Sequence, residues 1–465
     1  MEHVVLGAVV PHPPIIIPEI GGQEAQLLAA TAQSIEQLAK DIRAAGVDTV
    51  VIISPHGPVF EDGLAINGSA SLAGSFGQFG QEQLRLMASA DLPLAEEIAQ
   101  QANSEGIATV ILNEEGARDF EVSLELDHGV LVPWYFLHKQ LSQPLVSITM
   151  GLLPYEDLYR FGQSIARAAA KLKRRIAVIA SGDLSHRLAS DGPYGYHPQG
   201  PEFDAQVVKA MEQNQVEALF KISAKCISDA GECGLRPIIM MLGCLDGYRW
   251  QGQVYSYEGP FGVGYMVAKA TPIERIPSLV EKLYAQRRTQ LDKLKAGESP
   301  LVQLARQALE AYVQQDTKIS APQELTPELA QQAGVFVSIK QHGNLRGCIG
   351  TIAPTQPNVA EEIINNAIQA GTQDPRFFPV EEDELETLTY SVDVLLPPEP
   401  ISSSADLDVE KYGVIVRRGA RTGLLLPNLE GVNSPAEQIA IAKQKAGIAP
   451  EEDCTMERFE VVRYS

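Results

Sequence analysis

A chain of 465 residues is too long for one small core and suits two or three domains. Its 45% hydrophobic and 21% charged residues are ordinary for a globular protein. The balance of 37 basic against 59 acidic side chains, a net charge of −22, argues against a protein that tracks nucleic-acid phosphates or sits on an anionic membrane.

The start, MEHVVLGAVVPHPP, lacks the basic segment and small-residue cleavage site of a signal peptide, and no apolar run reaches the roughly 18 residues of a membrane span. The cysteines at 226, 233, 244, 348 and 454 are odd in number and scattered, with no C-x-x-C pair. Neither a disulfide framework nor a structural zinc site is expected from them. The expectation is a reduced, cytoplasmic protein.

From the start to about residue 270, strand and helix alternate. VVLGAVV (4–10) reads as a strand, and residues 21–46 carry helical periodicity closed by a glycine. TVVIIS (49–54) is the next strand. Helix 92–106 precedes strand IATVIL (107–112), and helix 129–141 precedes strand PLVSITM (144–150). Helix 156–173 leads into strand RIAVIAS (175–181), and residues 251–270 form a closing hairpin. Short β-branched runs separated by amphipathic helices predict an α/β sheet with helices on both faces.

Residues 271–298 are dense in charge with a thin apolar stripe, as a connecting helix or linker would be. A Ser-Pro start opens a helix at 299. Hairpin-forming strands with Gly-rich turns follow, interleaved with two helices, and RFEVVRYS is the last strand. This predicts a separate, smaller α+β domain over 299–465.

The chemistry-bearing residues sit where strands end. PHPP places His12 after the first strand, SPHG places His56 after the second, and GDLSH places Asp183 and His186 after RIAVIAS. In open α/β sheets the functional crevice lies beyond the carboxyl ends of the strands, so these imidazoles are expected on one rim. LELDHGVLVPWYFL (124–137) adds Asp127 and His128, and SDAGECGLRPIIMMLG (228–243) adds Glu232 and Cys233. Two neutral imidazoles and one carboxylate leave positions open on a ferrous ion, and a further histidine off the metal can move protons near neutral pH. Asp183 is read as a turn cap outside the site. His197 is read as a loop residue, and His3 and His138 as incidental.

PHPP, SPHG, DHG followed by VPW, GDLSH and a late Gly-Glu, in this order, resemble the class III extradiol ring-cleavage dioxygenases. More narrowly they are similar to the LigB-like Memo proteins, system protein B of the AmmeMemoRadiSam group. The resemblance covers roughly the whole first domain, 1–270. It implies ferrous-iron ligands at His12 and His56, with Glu232 as the carboxylate ligand. His186 falls at the acid/base position and His128 lines the substrate pocket. The implied reaction is oxygen-dependent opening of a small aromatic diol. ECGLRPI also resembles the Memo-type C-G-x-x-P stretch, in which a cysteine replaces the carboxylate. Cys233 is therefore the alternative to Glu232, and copper or zinc the alternative to iron.

In the second domain, GNLRGCIG (343–350) sets glycines around Arg346 and Cys348 and lets a ligand approach closely. Arg346 has a planar fork suited to a carboxylate or phosphate, and Cys348 is either a nucleophile or a small buried thiol. With DPRFFPV (374–380) and GVIVRRGARTGLLLP (413–427), the string resembles the AMMECR family, system protein A of the same group. That resemblance implies a functional surface at Arg346 and Cys348. Two functional readings stand: a non-haem iron oxidoreductase acting on a small aromatic diol with dioxygen, and a non-oxygenase metal protein. The second would bind a peptide, nucleotide or other modified substrate alongside a radical-SAM partner. Either leaves room for an oligomer.

Overall fold

The structure, a computed structural model, describes residues 3–341, 344–429, 432 and 434–465. The chain divides into two compact units, 1–285 and 286–465. Among the described residues no helix is long and apolar enough to cross a membrane.

The first unit is built on one mixed sheet with helices on both faces. Its strands in chain order are β1 (Val4–Val10), β2 (Thr49–Ser54), β3 (Leu64–Asn67), β4 (Ser71–Phe76), β5 (Gln81–Ser89), β6 (Thr109–Leu112), β7 (Leu145–Thr149), β8 (Ile176–Ser181), β9 (Tyr248–Glu258) and β10 (Tyr265–Arg275). Eight of them pair in the order β6-β3-β7-β2-β8-β1-β10-β9, and β4 and β5 form a hairpin of their own. The centre, β7-β2-β8-β1, is parallel, while β3 runs antiparallel to β7 and β10 antiparallel to β1.

Burial explains the composition of the central strands. All six residues of β2 and of β8 are buried. Val51 and Ile53 face one core with Val178 and Ala180, while Val50 and Ile52 face the other with Ala177 and Ile179. A strand covered on both faces reads as a continuous apolar run because every alternate position is inside. Helices Leu92–Ser104, Tyr155–Lys171, Gln199–Gln213 and Leu235–Gly243 cover the first face. Helices Ala29–Ala45 and His128–Leu137 cover the second.

One expected boundary moves. Residues 271–275, read as the start of a linker, continue β10 in register with β9, from Thr271 opposite Gln251 to Arg275 opposite Tyr248. The charged side chains there lie on an edge pair, where one face meets water. The linker helix itself spans Val280–Gly297.

In the second unit, helix Pro300–Gln315 is capped by the Ser299 hydroxyl on Val302 N. Its strands are β11 (Val335–Gln341), β12 (Asn344–Gly350), β13 (Leu388–Leu395), β14 (Glu399–Ile401), β15 (Gly413–Arg418), β16 (Arg421–Leu425), β17 (Thr455–Phe459) and β18 (Val461–Tyr464). They form two four-stranded sheets, β12-β11-β13-β18 and β14-β17-β15-β16. RFEVVRYS, read as one strand, is broken at Glu460, with β17 in one sheet and β18 in the other. The apolar alternation runs through the break because the chain keeps an extended backbone as it changes sheets.

Helix Val359–Thr372 holds the buried Glu362, whose carboxylate accepts from the Thr351 and Thr355 hydroxyls and from Thr355 N and Gln356 N at 2.7–2.9 Å. Glu362→Ala strands four donors. It should cost the second unit about 3 kcal/mol, a roughly hundredfold rise in local opening. Hydrogen exchange of residues 359–372 measures it, and unchanged protection would contradict the role.

Candidate metal centre

The histidine-bearing loops come from neighbouring strands. β2, β8 and β1 are adjacent and parallel, so His56, His186 and His12 leave the same rim of the sheet. Strands lie about 4.8 Å apart, which brings the loops after β1 and β2 within side-chain reach over the end of β8. His12 and His56 meet there, with Nε2 atoms 2.9 Å apart. His128, first residue of helix His128–Leu137, enters from one face of the sheet and stacks on His56 at 4.3 Å. Ligating atoms of His12, His56 and His128 lie within 4.8 Å of one another.

Ser181, the last residue of β8, sets the chemistry of His12. Its hydroxyl donates to Gly129 O, so its oxygen accepts from His12 Nδ1 at 2.9 Å. That assigns the proton to Nδ1 and leaves the His12 Nε2 lone pair facing the cluster, the tautomer a metal ligand needs. Asp183, read from the sequence as a cap outside the site, accepts from His12 N at 2.9 Å and fixes the turn beneath the ring. Asp127 accepts from the Ser54 hydroxyl at 2.5 Å and from Gly129 N at 2.7 Å, locking the end of β2 to the helix that carries His128.

Electrostatics keep the rings neutral. Burial, then the neighbouring His56, His128 and His186, hold His12 well below the ordinary histidine range. Burial, then His56, pushes His128 and His186 each down to about 4. Burial lowers His56 as well, with Asp127 opposing it. Neutral imidazoles offer lone pairs at pH 7, as metal ligation requires.

The third expected ligand is placed differently. Glu232 Oε2 accepts from Leu235 N at 2.6 Å, capping helix Leu235–Gly243, and burial pushes its carboxyl up to about 7. Its neighbour Cys233 points the other way, with Sγ 3.6 Å from His12 Nε2 and accepting from Asp183 N at 3.3 Å. The cause is a close approach of two loops. A Cβ on Gly182 would lie 2.2 Å from the Gly234 Cα, and only paired glycines allow that contact. Burial, then the Asp183 and Glu232 carboxyls, raises the Cys233 thiol well above its ordinary range in the metal-free protein. The metal-competent atoms brought together are thus three imidazoles with one thiol beside His12, and the Glu232 carboxylate is not among them.

His186 faces the cluster closely enough to depress the basicity of His12 and packs against the Tyr194 ring at 5.2 Å. Phe79 stands edge-on to His128 at 5.5 Å. Ser181 was not singled out from the sequence, and Asp183 was read there as a cap; in SGDLSH, Ser181 closes the buried strand β8 and Asp183 follows two residues on.

In the second unit the Arg346 guanidinium is engaged within the protein. It makes a bidentate pair with Glu384 at 2.8 and 2.9 Å and donates to Phe378 O and Pro379 O. It staples the 374–384 loop to β12. Cys348 is half-buried, its amide donates to Asp374, and its sulfur accepts from the Ser338 hydroxyl at 3.3 Å. Burial pushes this thiol up against the pull of Ser338 and Arg376, so the resting form is the neutral thiol. Gly343, which opens the GNLRGCIG string, lies outside the described residues.

The neutral cluster makes a direct prediction. In metal-free protein the imidazole proton resonances of His128 and His186 should titrate near pH 4. Each ring resists a proton the unfolded chain takes near 6.5, so between those values these two groups favour unfolding as pH falls. Midpoints near 6.5 in the folded protein would contradict the burial described here.

Comparison with known proteins follows the same division. Residues 6–268 match the family described as the catalytic LigB subunit of aromatic ring-opening dioxygenase, and residues 302–465 match AMMECR1. A Clostridium acetobutylicum protein, "Protein CA_C1420", is 42% identical over 457 residues, 98% of this chain and 97% of its own. A Thermotoga maritima protein is 51% identical over 172 residues, 36% of this chain and 98% of its own. The crystal structure of the uncharacterized protein PH0010 from Pyrococcus horikoshii covers 36% of this chain and 89% of its own, at 36% identity and a TM-score of 0.34. None of the names of these three relatives states an activity. The chain belongs to the LigB family of aromatic ring-opening dioxygenase subunits, with an AMMECR1 domain following the LigB domain.

Proposed function

We propose that the first unit is an oxidoreductase that holds ferrous iron at His12 and His56 and acts with dioxygen on a small aromatic diol. The observation that supports it most is the meeting of His12, His56 and His128 at the rim of the sheet, with the His12 tautomer fixed by Ser181. The donor set fits a first-row divalent ion: neutral nitrogens, one thiol, and an exposed side at His56. Ferrous iron bound there would supply adjacent positions for a catecholate and for dioxygen.

The chain's own residues perform the rest. His186, a neutral imidazole facing the cluster, would accept a proton from the diol hydroxyl on binding and return it later. His128 orients the substrate oxygen by a hydrogen bond, its ring held against His56. Phe79 beside His128 and Tyr194 beside His186 offer ring faces to a flat substrate and displace water from it.

For the third ligand the geometry favours Cys233 over Glu232, and that supports a second reading. A thiolate suits softer ions, so the pocket would retain copper or zinc and bind a peptide, nucleotide or other modified substrate. The AMMECR1 unit and a radical-SAM partner would share that pathway.

Anaerobic purification, metal analysis and oxygen uptake with 3,4-dihydroxybenzoate separate the two. Bound iron with oxygen uptake supports the first, and retained copper or zinc without uptake supports the second. His12→Ala and His56→Ala are each expected to abolish metal binding, whereas His186→Ala keeps the metal and removes uptake. Cys233→Ala should weaken metal binding roughly 10- to 100-fold, with Glu232→Ala leaving it within about twofold. Equal occupancy in wild type and the His12 or His56 variants would refute the ligand assignment.

A further inference from the structure

A cavity of about 620 Å³ opens in the first unit away from the histidines. It lies at the other end of the sheet. β10 runs antiparallel to β1, so its last residues, paired with Tyr248 and Trp250 of β9, pass beyond the start of β1. The volume lies within the roughly 300–1,000 Å³ of small-molecule sites. None of the residues placed at the metal centre lines it.

Its lining combines an apolar floor with one unmatched charge. Trp250 and Leu245, both buried, meet Val216, Ile276 and Leu279 around the space. Four side chains in the lining carry formal charge, and three are already satisfied. Asp246 accepts from Tyr159, Gln163, Ser278 and Leu279 N at 2.5–2.8 Å. Glu217 pairs with Lys282 at 2.7 Å. The fourth, Lys221, is exposed at the mouth of the cavity and has no side-chain partner among the described residues. An apolar, ring-sized body carrying a single negative charge would complement this lining, with its charge toward the solvated Lys221 ammonium.

We propose that this cavity is a second binding site, for a small aromatic monoanion such as an aryl carboxylate. The ring lies among Val216, Ile276 and Leu279 above the Trp250–Leu245 floor, and the carboxylate meets the Lys221 ammonium. Asp246 also fastens Ser278 and Leu279 at the root of helix Val280–Gly297, so the bound ligand packs against the start of that helix.

The probe is 2-naphthoate, titrated into the full chain. Trp250 is the reporter, and Trp134→Phe removes the only other tryptophan signal. Saturable quenching of Trp250 is expected below about 1 mM. Lys221→Gln, at an exposed position, should weaken binding about tenfold, and uncharged 2-methylnaphthalene should bind wild type about tenfold more weakly than naphthoate. Ala218→Trp, which fills the space, should abolish quenching. If that variant does not fold, the Lys221→Gln comparison decides alone. No saturable quenching, or equal affinity in wild type and Lys221→Gln, would overturn the proposal. Metal content should be the same in all variants, since the site is separate from the histidine cluster.

Discussion

One hydroxyl holds the centre together. Ser181 Oγ donates to Gly129 O and accepts from His12 Nδ1, joining the end of β8, the helix that carries His128 and the loop after β1. Because the oxygen can satisfy both neighbours only in this sense, it also settles which nitrogen of His12 keeps its lone pair. Asp183 and Asp127 repeat the device on either side, each tying a strand end to a neighbouring loop. Three polar residues at the sheet rim thus turn an apolar scaffold into a rigid cluster of neutral imidazoles, the preorganisation that metal ligation needs.

Much of this was legible because the sequence punctuates itself. β1, β2 and β8 are apolar runs that stop at Pro-His, Pro-His-Gly or Gly-Asp, and a strand that ends this way delivers its next polar residue to the rim. The choice between Glu232 and Cys233 was not legible. They are adjacent, and which one faces His12 depends on Gly182 and Gly234 touching across 52 residues of chain, a tertiary contact that no local pattern carries. Strands β4 and β5 were also missed: glycine, glutamine and charged residues dilute their alternation, and Gly74 is required by the nearby Leu126 carbonyl.

The second unit presents a contrast. Arg346 sits in a glycine-rich string and reads as a hand for an anion, yet its anion is Glu384, far along the chain. A guanidinium with four hydrogen bonds inside the protein is a structural staple, and Cys348 beside it is a neutral thiol at rest. At this string the side chains are engaged in holding loops together, while the imidazoles that could hold a metal gather in the first unit.

The measurement closest to the central claim is anomalous diffraction from crystals loaded anaerobically with ferrous iron. The account predicts one peak within bonding distance of His12 Nε2 and His56 Nε2, on the side where Cys233 Sγ approaches. A peak at Glu232 away from those rings, or no peak at the rim of β1 and β2, would contradict it.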